Sequence, residues 1–262
     1  MKYKLGILGK DINYSLSPKI HKLFGKELDI DLNYEIYDIK KDPILFIENF
    51  FNNGGKGLNI TKPFKEIVAQ HYSKNQKRSF NTLSVYTDDF SKNKLIKGSS
   101  TDGQGFYEDL ISKNIPINNK NVVLFGMGGA GMAIADEIGK DCNLFVWNRN
   151  TKKYNTLNFD RYKRLDELSD QEIDIVISCV SDIDDYLIEL VNRLNLVKSS
   201  VMIDVNYDHS SNDAFLKISD SHNIKFYTGE GMLIEQAALS FSKWFGVSPS
   251  LKLKERIKNE RL

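Results

Sequence analysis

Apolar and polar residues over the first hundred positions follow strand-like and helix-like spacings in turn. Runs that are apolar throughout or that alternate with polar residues predict strands, and apolar residues three and four apart predict helices. We predict three strand–helix pairs: KLGILG with SPKIHKLFGKEL, LNYEIYDI with DPILFIENFFNN, and GKGLNI with TKPFKEIVAQHY. Two further segments, NTLSVYTDD and KLIKGSSTD, are predicted to form a hairpin around SKN. The first hundred residues therefore predict one α/β unit.

The pattern changes after the first hundred residues, beginning with a connecting helix predicted at FYEDLISKN. The segment NVVLFGMGGAGMAIADEIG then combines an apolar strand, a glycine-rich turn and a helix, which is the order that starts a nucleotide-binding unit. Four more buried strands are predicted at NLFVWN, DIVISCV, VMIDV and KFYTG. This series favours a parallel, doubly wound sheet. Pattern alone does not assign the last two predicted helices, EGMLIEQAALSFSKWFG and LKLKERIKN, to either unit.

Length and composition favour a globular protein of two domains. The chain has 262 residues, 41% of them hydrophobic and 27% charged, with a formal net charge of +1. Because acids and bases are mixed and no apolar run reaches the roughly 18 residues of a membrane span, we expect neither a nucleic-acid nor a membrane partner. The start of the chain does not resemble a signal peptide, so we expect a cytoplasmic location. Cys142 and Cys179 form no CxxC pair, and we expect buried, reduced thiols and no metal site.

The glycine-rich turn is a candidate cofactor site. Gly126, Gly128 and Gly131 form a G-x-G-x-x-G pattern directly after the strand VVLF. The first glycine permits a tight turn, the second lets backbone N–H groups approach a pyrophosphate, and the third lets helix and strand pack closely. We therefore expect a dinucleotide to bind at this turn, with Gly129 and Ala130 part of the same loop.

The next strand ends in WNRNTKK, which bears on the choice of dinucleotide. NAD-binding proteins commonly place a carboxylate there for the ribose 2′-hydroxyl, and this segment has none. Arg149 could instead form a fork on a 2′-phosphate, with Asn148, Thr151 and Lys152 as nearby donors. The sequence thus predicts NADP(H), although a basic surface loop without a ligand would have a similar composition.

Several polar segments occur in an order that identifies a family. They are Y-S-L-S-P-K-I-H near the start, G-x-N-x-T-x-P-x-K at 57–65, F-N-T-L at 80–83, T-D-G-x-G at 101–105, N-R at 148–149, D-x-x-Y at 204–207 and G-M-L-x-x-Q-A-A from 231. Together with the nucleotide motif they resemble the shikimate dehydrogenase family over nearly the whole chain. The resemblance implies an NADP-dependent enzyme of aromatic amino-acid biosynthesis that reduces 3-dehydroshikimate to shikimate. It also implies a substrate domain and a Rossmann-type domain with a cleft between them. We expect them at 1–104, completed by 231–262, and at 105–230.

The resemblance also implies site residues, each taken from a matching position. The expected substrate contacts are Ser15, Ser17, Asn59, Thr61, Asn81, Tyr207 and Gln236. Gly229 and Met232 join the cofactor residues. Each residue alone also has an ordinary structural interpretation, because Ser17 before Pro18 could cap a helix and because Asn81 and Asp102 are common turn residues.

Lys65 and Asp102 are the expected catalytic pair. Ketone reduction needs a proton for the developing alkoxide, and a cation beside that oxygen both stabilises the charge and can supply the proton. The alternative is a solvated lysine in the first turn of a helix. Whether Lys65 transfers the proton or mainly stabilises the oxyanion, with water or Asp102 taking part, is open at this stage.

Three departures from the family pattern and three alternatives remain. Ser100 stands where the family usually has Asn, and ISCVS at 177–181 replaces a stretch of Asn-Ala-Thr character. After Tyr207, DHSSNDAF replaces the usual Pro-containing stretch. A quinate/shikimate dehydrogenase that uses NAD would share most of these motifs. A non-catalytic ligand sensor would be expected to lack Lys65 or Asp102, and a purely structural protein would leave the polar motifs unexplained. The sequence is compatible with a monomer or a homodimer.

Overall fold

The computed structural model describes residues 2–73, 79–87, 94–155, 161–207 and 209–260. The chain divides into two compact units. Unit 1 comprises Met1–Gly105 and Leu233–Leu262, and unit 2 comprises Phe106–Met232. Within the described ranges, no helix combines the length and the apolar character that crossing a membrane requires.

Unit 1 is built on a five-stranded mixed sheet. Its strands are β1 (Tyr3–Gly9), β2 (Leu32–Asp38), β3 (Gly55–Ile60), β4 (Thr82–Thr87) and β5 (Lys94–Ser99), and its helices are α1 (Ser17–Glu27), α2 (Pro43–Asn52), α3 (Lys65–Tyr72) and, near the C-terminus, α10 (Leu251–Asn259). The strand order is β2-β1-β3-β4-β5. β1 pairs in parallel with β2 and β3, whereas β4 is antiparallel to β3 and β5. The predicted hairpin is thus confirmed, while its turn at SKN lies outside the described residues.

Alternation along β1 places apolar side chains on both faces of this sheet. Leu5 and Ile7 belong to one buried cluster, with residues of α1 and α10, and Leu8 belongs to another, with residues of α2 and α3. Successive strand residues point to opposite faces, so helices cover both sides of the sheet. Trp244 packs on the first of these faces: a side chain at Gly57 would collide with its ring, and its indole N–H donates to the Leu83 carbonyl at 2.9 Å.

Unit 2 is built on a six-stranded sheet. Its strands are β6 (Asn121–Phe125), β7 (Asn143–Trp147), β8 (Lys163–Arg164), β9 (Ile173–Ser178), β10 (Leu196–Asp204) and β11 (Lys225–Thr228), and its helices are α5 (Gly129–Ile138), α6 (Thr151–Asn155), α7 (Asp185–Asn192) and α8 (His209–His222). Two more helices, α4 (Asp102–Ser112) and α9 (Glu230–Phe245), contain the unit boundaries.

All neighbouring strands of the second sheet are parallel, in the order β11-β10-β9-β6-β7-β8. Read in the opposite direction and numbered with β6 as strand 1, this is the strand order 3-2-1-4-5-6 of the dinucleotide-binding fold. The order reverses between β6 and β9, and ligands of open α/β sheets bind outside the carboxyl ends of the strands at such a point. The predicted parallel, doubly wound sheet is confirmed, and the glycine-rich turn follows β6 at this point.

Two local expectations are corrected by the structure. Ser17 does not cap α1, because it is the first helical residue and Leu16 occupies the N-cap position without a side-chain hydrogen bond. The thiols of Cys142 and Cys179 were expected to be buried, and both residues are half-buried. The Cys142 thiol donates to the Ile138 carbonyl one turn earlier in the chain, at 3.3 Å.

Candidate active site

Lys65 and Asp102, both in unit 1, are brought together by the first turns of two helices. Lys65 is the first residue of α3, which follows β3, and Asp102 is the first residue of α4, which follows β5. The Lys65 Nζ lies 2.6 Å from Asp102 Oδ2, and the two side chains are 16% and 5% exposed. The pair therefore combines a nearly buried carboxylate with an ammonium group that retains access to a ligand.

Asn81 holds the other oxygen of this carboxylate. Its side-chain Nδ2 lies 3.0 Å from Asp102 Oδ1, 2.7 Å from Thr101 Oγ1 and 3.1 Å from Gln236 Oε1. Its Oδ1 accepts the Thr101 backbone N–H at 2.6 Å. Asn81 is only 2% exposed. It is therefore a buried junction between three chain segments.

A second buried layer lies behind Asn81. The Asn59 amide donates to the Asn81 carbonyl at 3.1 Å and to Ser240 Oγ at 3.0 Å, while its oxygen accepts the Tyr34 hydroxyl at 2.8 Å. Thr101 Oγ1 donates to the Gln236 carbonyl at 3.1 Å. Both Asn59 donors are thus used inside the protein, which fits a residue that positions its neighbours. Buried polar groups are expected to be satisfied in this way.

Sequence reasoning missed Thr101, Ser240 and Tyr34 as members of this network. Thr101 was part of the T-D-G-x-G motif, and that was the one signal that could have found it. Ser240 lies in an apolar helical pattern and Tyr34 in an alternating strand, so neither differs in sequence from an ordinary core neighbour. Ser100, by contrast, gives Asp102 no support, because its Oγ is buried and has no hydrogen-bond partner within the described part of the chain.

Ser15 and Thr61 belong to two loops that leave the same edge of the sheet in unit 1, and Ser17 begins the helix that follows the first loop. Leu8 and Ile60 pair in parallel near the ends of β1 and β3, so the loops after these strands start side by side. Backbone bonds join the loops, since Thr61 N–H donates to the Leu8 carbonyl at 2.9 Å. The Ser17 backbone N–H donates to Ser15 Oγ at 3.3 Å. This edge therefore presents the half-buried hydroxyl groups of Ser15 and Thr61 next to the loop that leads into Lys65, whereas Ser17 is only 2% exposed.

The glycine turn of unit 2 has the geometry of a dinucleotide loop. Gly126 has φ +94, and a Cβ at Gly131 would lie 1.8 Å from the Gly126 carbonyl oxygen, so both positions require glycine. A Cβ at Gly128, the N-cap of α5, would meet no atom within 4 Å. The turn is therefore tight at its base and open at its tip, where backbone N–H groups can face a pyrophosphate. These residues fit the dinucleotide that the sequence predicts.

Arg149 and Asn148 follow β7 beside this turn. Asn148 Oδ1 accepts the Met127 backbone N–H at 2.9 Å, and its Nδ2 donates to the Asn150 carbonyl at 3.1 Å. Asn148 thus braces the glycine turn. Arg149 is about half exposed, donates from Nη2 to the Asp182 carbonyl at 2.6 Å, and lies 3.0 Å from Asp184 Oδ2. Thr151 and Lys152, at the start of α6, are exposed.

The remaining predicted residues lie at or after the ends of β10 and β11. Tyr207 is half-buried three residues beyond β10. A Cβ at Gly229 would lie 1.8 Å from the Val205 carbonyl oxygen, so this glycine permits close contact between the two strand ends. Met232 is 5% exposed and belongs to the core of unit 2. Most of its surface therefore contacts protein.

Sequence reasoning also missed Asp204, the last residue of β10. Its Oδ1 accepts the Asn206 backbone N–H at 3.1 Å and the Asn206 side-chain amide at 2.9 Å. Burial raises the pKa of the Asp204 carboxyl to about 6, and the hydrogen bonds from Asn206 oppose this rise. Because the Asn206 amide also donates to the Val180 carbonyl at 2.6 Å, Asp204 ties the segments after β9 and β10 together.

Comparisons with known proteins agree with the motifs. Residues 7–84 match the family model of the shikimate dehydrogenase substrate binding domain, and residues 229–253 match that of the shikimate 5′-dehydrogenase C-terminal domain. The shikimate dehydrogenase (NADP(+)) of Buchnera aphidicola subsp. Cinara cedri is 32% identical, with 96% of this chain and 93% of the relative covered. That of Pyrococcus abyssi is also 32% identical, with 98% and 97% covered.

Solved structures of shikimate dehydrogenases have the same fold as this chain. A shikimate dehydrogenase in complex with NADP+ is 25% identical, with a TM-score of 0.79 over 100% of this chain and 96% of that one. The Thermus thermophilus shikimate 5-dehydrogenase in complex with NADP(H) and shikimate has a TM-score of 0.80 at 23% identity, over 99% of this chain and all (100%) of that one, which is a likeness of fold. The resemblance drawn from the motifs is confirmed, and the chain belongs to the shikimate dehydrogenase family.

Proposed function

We propose that this chain catalyses the reversible reduction of 3-dehydroshikimate to shikimate with NADPH, a step of chorismate and aromatic amino-acid biosynthesis, in the cytoplasm. The observation that carries the proposal is the Lys65–Asp102 pair, 2.6 Å apart and fixed by Asn81 beside a sheet edge that presents hydroxyl groups. Membership of the family, whose relatives are named as NADP(+) enzymes, supports the activity and the cofactor.

The proton chemistry is assigned to Lys65 and Asp102. NADPH supplies the hydride that goes to the carbonyl carbon of the substrate. The oxygen that becomes an alkoxide must gain a proton, and in the reverse direction the alcohol must lose one. We propose that the Lys65 ammonium donates a hydrogen bond and then a proton to this oxygen, and that Asp102 orients the ammonium. Because Asn81 binds the second carboxylate oxygen, Asp102 cannot turn away without breaking a buried bond.

We assign substrate recognition to the polar edge of unit 1 and to Tyr207 of unit 2. Ser15, Ser17 and Tyr207 supply hydroxyl groups for the substrate carboxylate, and Thr61 supplies one for the ring. Gln236 can both donate and accept, which suits ring hydroxyls that do the same. Asn81, expected from the sequence to contact the substrate, already uses its amide inside the protein, and we propose that it acts by holding Asp102. We propose a positioning role for Asn59, since its amide already donates to Asn81 and Ser240.

We assign cofactor binding to unit 2. The turn at Gly126 and Gly128 and the first residues of α5, which are Gly129, Ala130 and Gly131, would hold the pyrophosphate. Arg149, Thr151 and Lys152 would hold the 2′-phosphate, and Asn148 would keep the loop in place. Gly229 and Met232 complete the proposed set. The absence of a carboxylate at the end of β7 favours NADP over NAD, and with it shikimate dehydrogenase over an NAD-dependent quinate enzyme.

The forward reaction tests this proposal. Purified protein should consume NADPH when 3-dehydroshikimate is added, in equal molar amounts, and mass spectrometry of the product should identify shikimate. The Asp102→Asn variant is the matched control, because it keeps the size of the side chain and removes the charge that orients Lys65. Consumption of NADPH without shikimate formation, or undiminished turnover by Asp102→Asn, would contradict the assignment.

A further inference from the structure

The loop after β9 places an acidic side chain against the arginine proposed to bind the 2′-phosphate. This loop, Ser181–Asp185, has the sequence SDIDD. Asp184 is the N-cap of α7, where its Oδ1 accepts the Leu187 backbone N–H at 2.9 Å. Its other oxygen, Oδ2, lies 3.0 Å from Arg149 Nη2. Asp184 therefore caps the helix with Oδ1 and contacts Arg149 with Oδ2.

The position of this ion pair in the fold relates it to the cofactor loop. β7 and β9 lie on either side of β6, so the segments that carry Arg149 and Asp184 flank the glycine turn. Both neighbouring segments are bonded to the turn: Gly126 N–H donates to the Trp147 carbonyl, and Cys179 N–H donates to the Phe125 carbonyl, each at 2.8 Å. The Arg149–Asp184 contact thus spans the switch point of the sheet.

The contact engages the guanidinium nitrogen that bidentate binding needs. A guanidinium can form a two-bond fork through Nε and Nη2 or through Nη1 and Nη2, and both forks include Nη2. In this protein Nη2 donates to the Asp182 carbonyl at 2.6 Å and faces Asp184 Oδ2 at 3.0 Å. A phosphate that forms a fork on Arg149 must therefore approach a nitrogen that already donates to one acceptor and lies beside a carboxylate.

We infer that Asp184 is a specificity-determining residue that competes with the 2′-phosphate of NADP for Arg149 and so limits discrimination between NADP and NAD. The inference rests on the proposed cofactor role of Arg149. Asp184 acts in two ways: it occupies Nη2, and its negative charge repels the phosphate. NAD carries a hydroxyl at this position and is affected by neither.

Equilibrium binding of NADP+ and NAD+ to the full chain, measured by isothermal titration calorimetry, tests the inference. In Asp184→Asn the charge is lost, while asparagine remains a good N-cap for α7. An exposed ion pair contributes at most about 1 kcal/mol, so we expect NADP+ to bind about two- to fivefold more tightly and NAD+ affinity to stay the same. Thermal unfolding of each variant verifies that the fold is intact.

Asp185→Asn is the matched control, because Asp185 is exposed, carries the same charge one residue along, and has no ion pair with Arg149. It should leave the ratio of the two affinities unchanged. In an Arg149→Met background, Asp184→Asn should increase NADP+ affinity less than it does in the wild-type background, because only the repulsion between Asp184 and the phosphate remains to be removed. Unchanged or weaker NADP+ binding by Asp184→Asn would overturn the inference, and so would an equal gain in Asp185→Asn. If Arg149→Met itself leaves NADP+ affinity intact, the proposed cofactor role of Arg149 fails instead.

Discussion

The Nζ of Lys65 lies 2.6 Å from Oδ2 of Asp102, and the two residues start α3 and α4. A carboxylate in the first turn of a helix is stabilised by the helix dipole, whereas an ammonium group there is not. The lysine therefore occupies a position that helix stability does not favour, and the partner that compensates for it is Asp102. Such a residue is more readily explained by chemistry at the site than by the stability of α3.

Lys65→Ala should abolish most turnover while NADP+ binding is preserved. Loss of a positioned proton donor typically lowers the rate about 10²- to 10⁴-fold, and Lys65 lies in unit 1, whereas the proposed cofactor residues lie in unit 2. Steady-state kinetics and calorimetric binding of NADP+ measure the two effects. Lys62→Ala, an exposed lysine near the same helix, should retain activity. A Lys65→Ala enzyme with near-normal turnover would defeat the assignment.

Asn81→Ala should lower both stability and activity. The substitution leaves the Thr101 backbone N–H and one Asp102 oxygen without their buried partner, at a cost of about 1–3 kcal/mol in the free energy of unfolding. Urea denaturation measures this cost, and kcat should fall because Asp102 loses its support. Asn33→Ala is the comparison, since Asn33 makes an exposed hydrogen bond to Glu35. Equal stability of the two variants would contradict the role of Asn81 as a junction.

The sequence was sufficient for the order of strands and helices and for the glycine turn, because both depend on local patterns. Period-two and helical spacings are read within a few residues, and Gly126 and Gly131 have requirements that only glycine meets. The contacts of Asn81 are of another kind. One of its partners is 20 residues away in sequence and another is 155 away, so only the packed fold shows that they meet.

Arg149 illustrates what a local motif leaves out. Its position after β7 was predicted from the nucleotide motif, but its engagement by Asp182 and Asp184 was not, because those residues follow a different strand. In the same way, the D-x-x-Y motif included Asp204 but did not predict its surroundings. Its burial, and the rise in its pKa to about 6, arise from tertiary packing.

Stability should fall on acidification because of His21. This side chain is fully buried and stacks on Tyr34, with ring centroids 4.5 Å apart, and burial lowers its pKa from 6.5 to about 3. Between these two pH values the unfolded chain binds a proton that the folded chain does not, so the free energy of unfolding decreases as the pH falls through this window. Above pH 6.5 the residue contributes no pH dependence.

His21→Phe should remove this dependence. Urea denaturation of both proteins at several pH values gives the difference in their free energies of unfolding, which should shift in favour of the variant by several kcal/mol as the pH falls across the window. Asp204 acts in the opposite direction, since its raised pKa makes protonation easier in the folded state. It is common to both proteins and cancels in the comparison. If the difference in the free energies of unfolding does not change with pH, the claim that His21 is buried and neutral is contradicted.

Gly128→Ala and Gly131→Ala should separate cofactor binding from folding. A Cβ at Gly128 has no neighbour within 4 Å, so stability should be unchanged, whereas NADP+ affinity should fall because the methyl group stands where backbone N–H groups face the pyrophosphate. A Cβ at Gly131 would lie 1.8 Å from a carbonyl oxygen, so that variant should lose stability as well. Thermal unfolding and calorimetry measure both properties. Normal NADP+ binding by Gly128→Ala would place the pyrophosphate elsewhere.

The most direct test of the central claim is the oxidation of shikimate with NADP+, followed by the absorbance of NADPH and compared with quinate and with NAD+ over a range of concentrations. The account predicts the highest kcat/KM for shikimate with NADP+. A higher kcat/KM with quinate or with NAD+ would contradict the assignment as an NADP-dependent shikimate dehydrogenase, although the fold would stand. No turnover with either substrate, despite measurable cofactor binding, would contradict the enzyme assignment and favour a ligand-sensing protein.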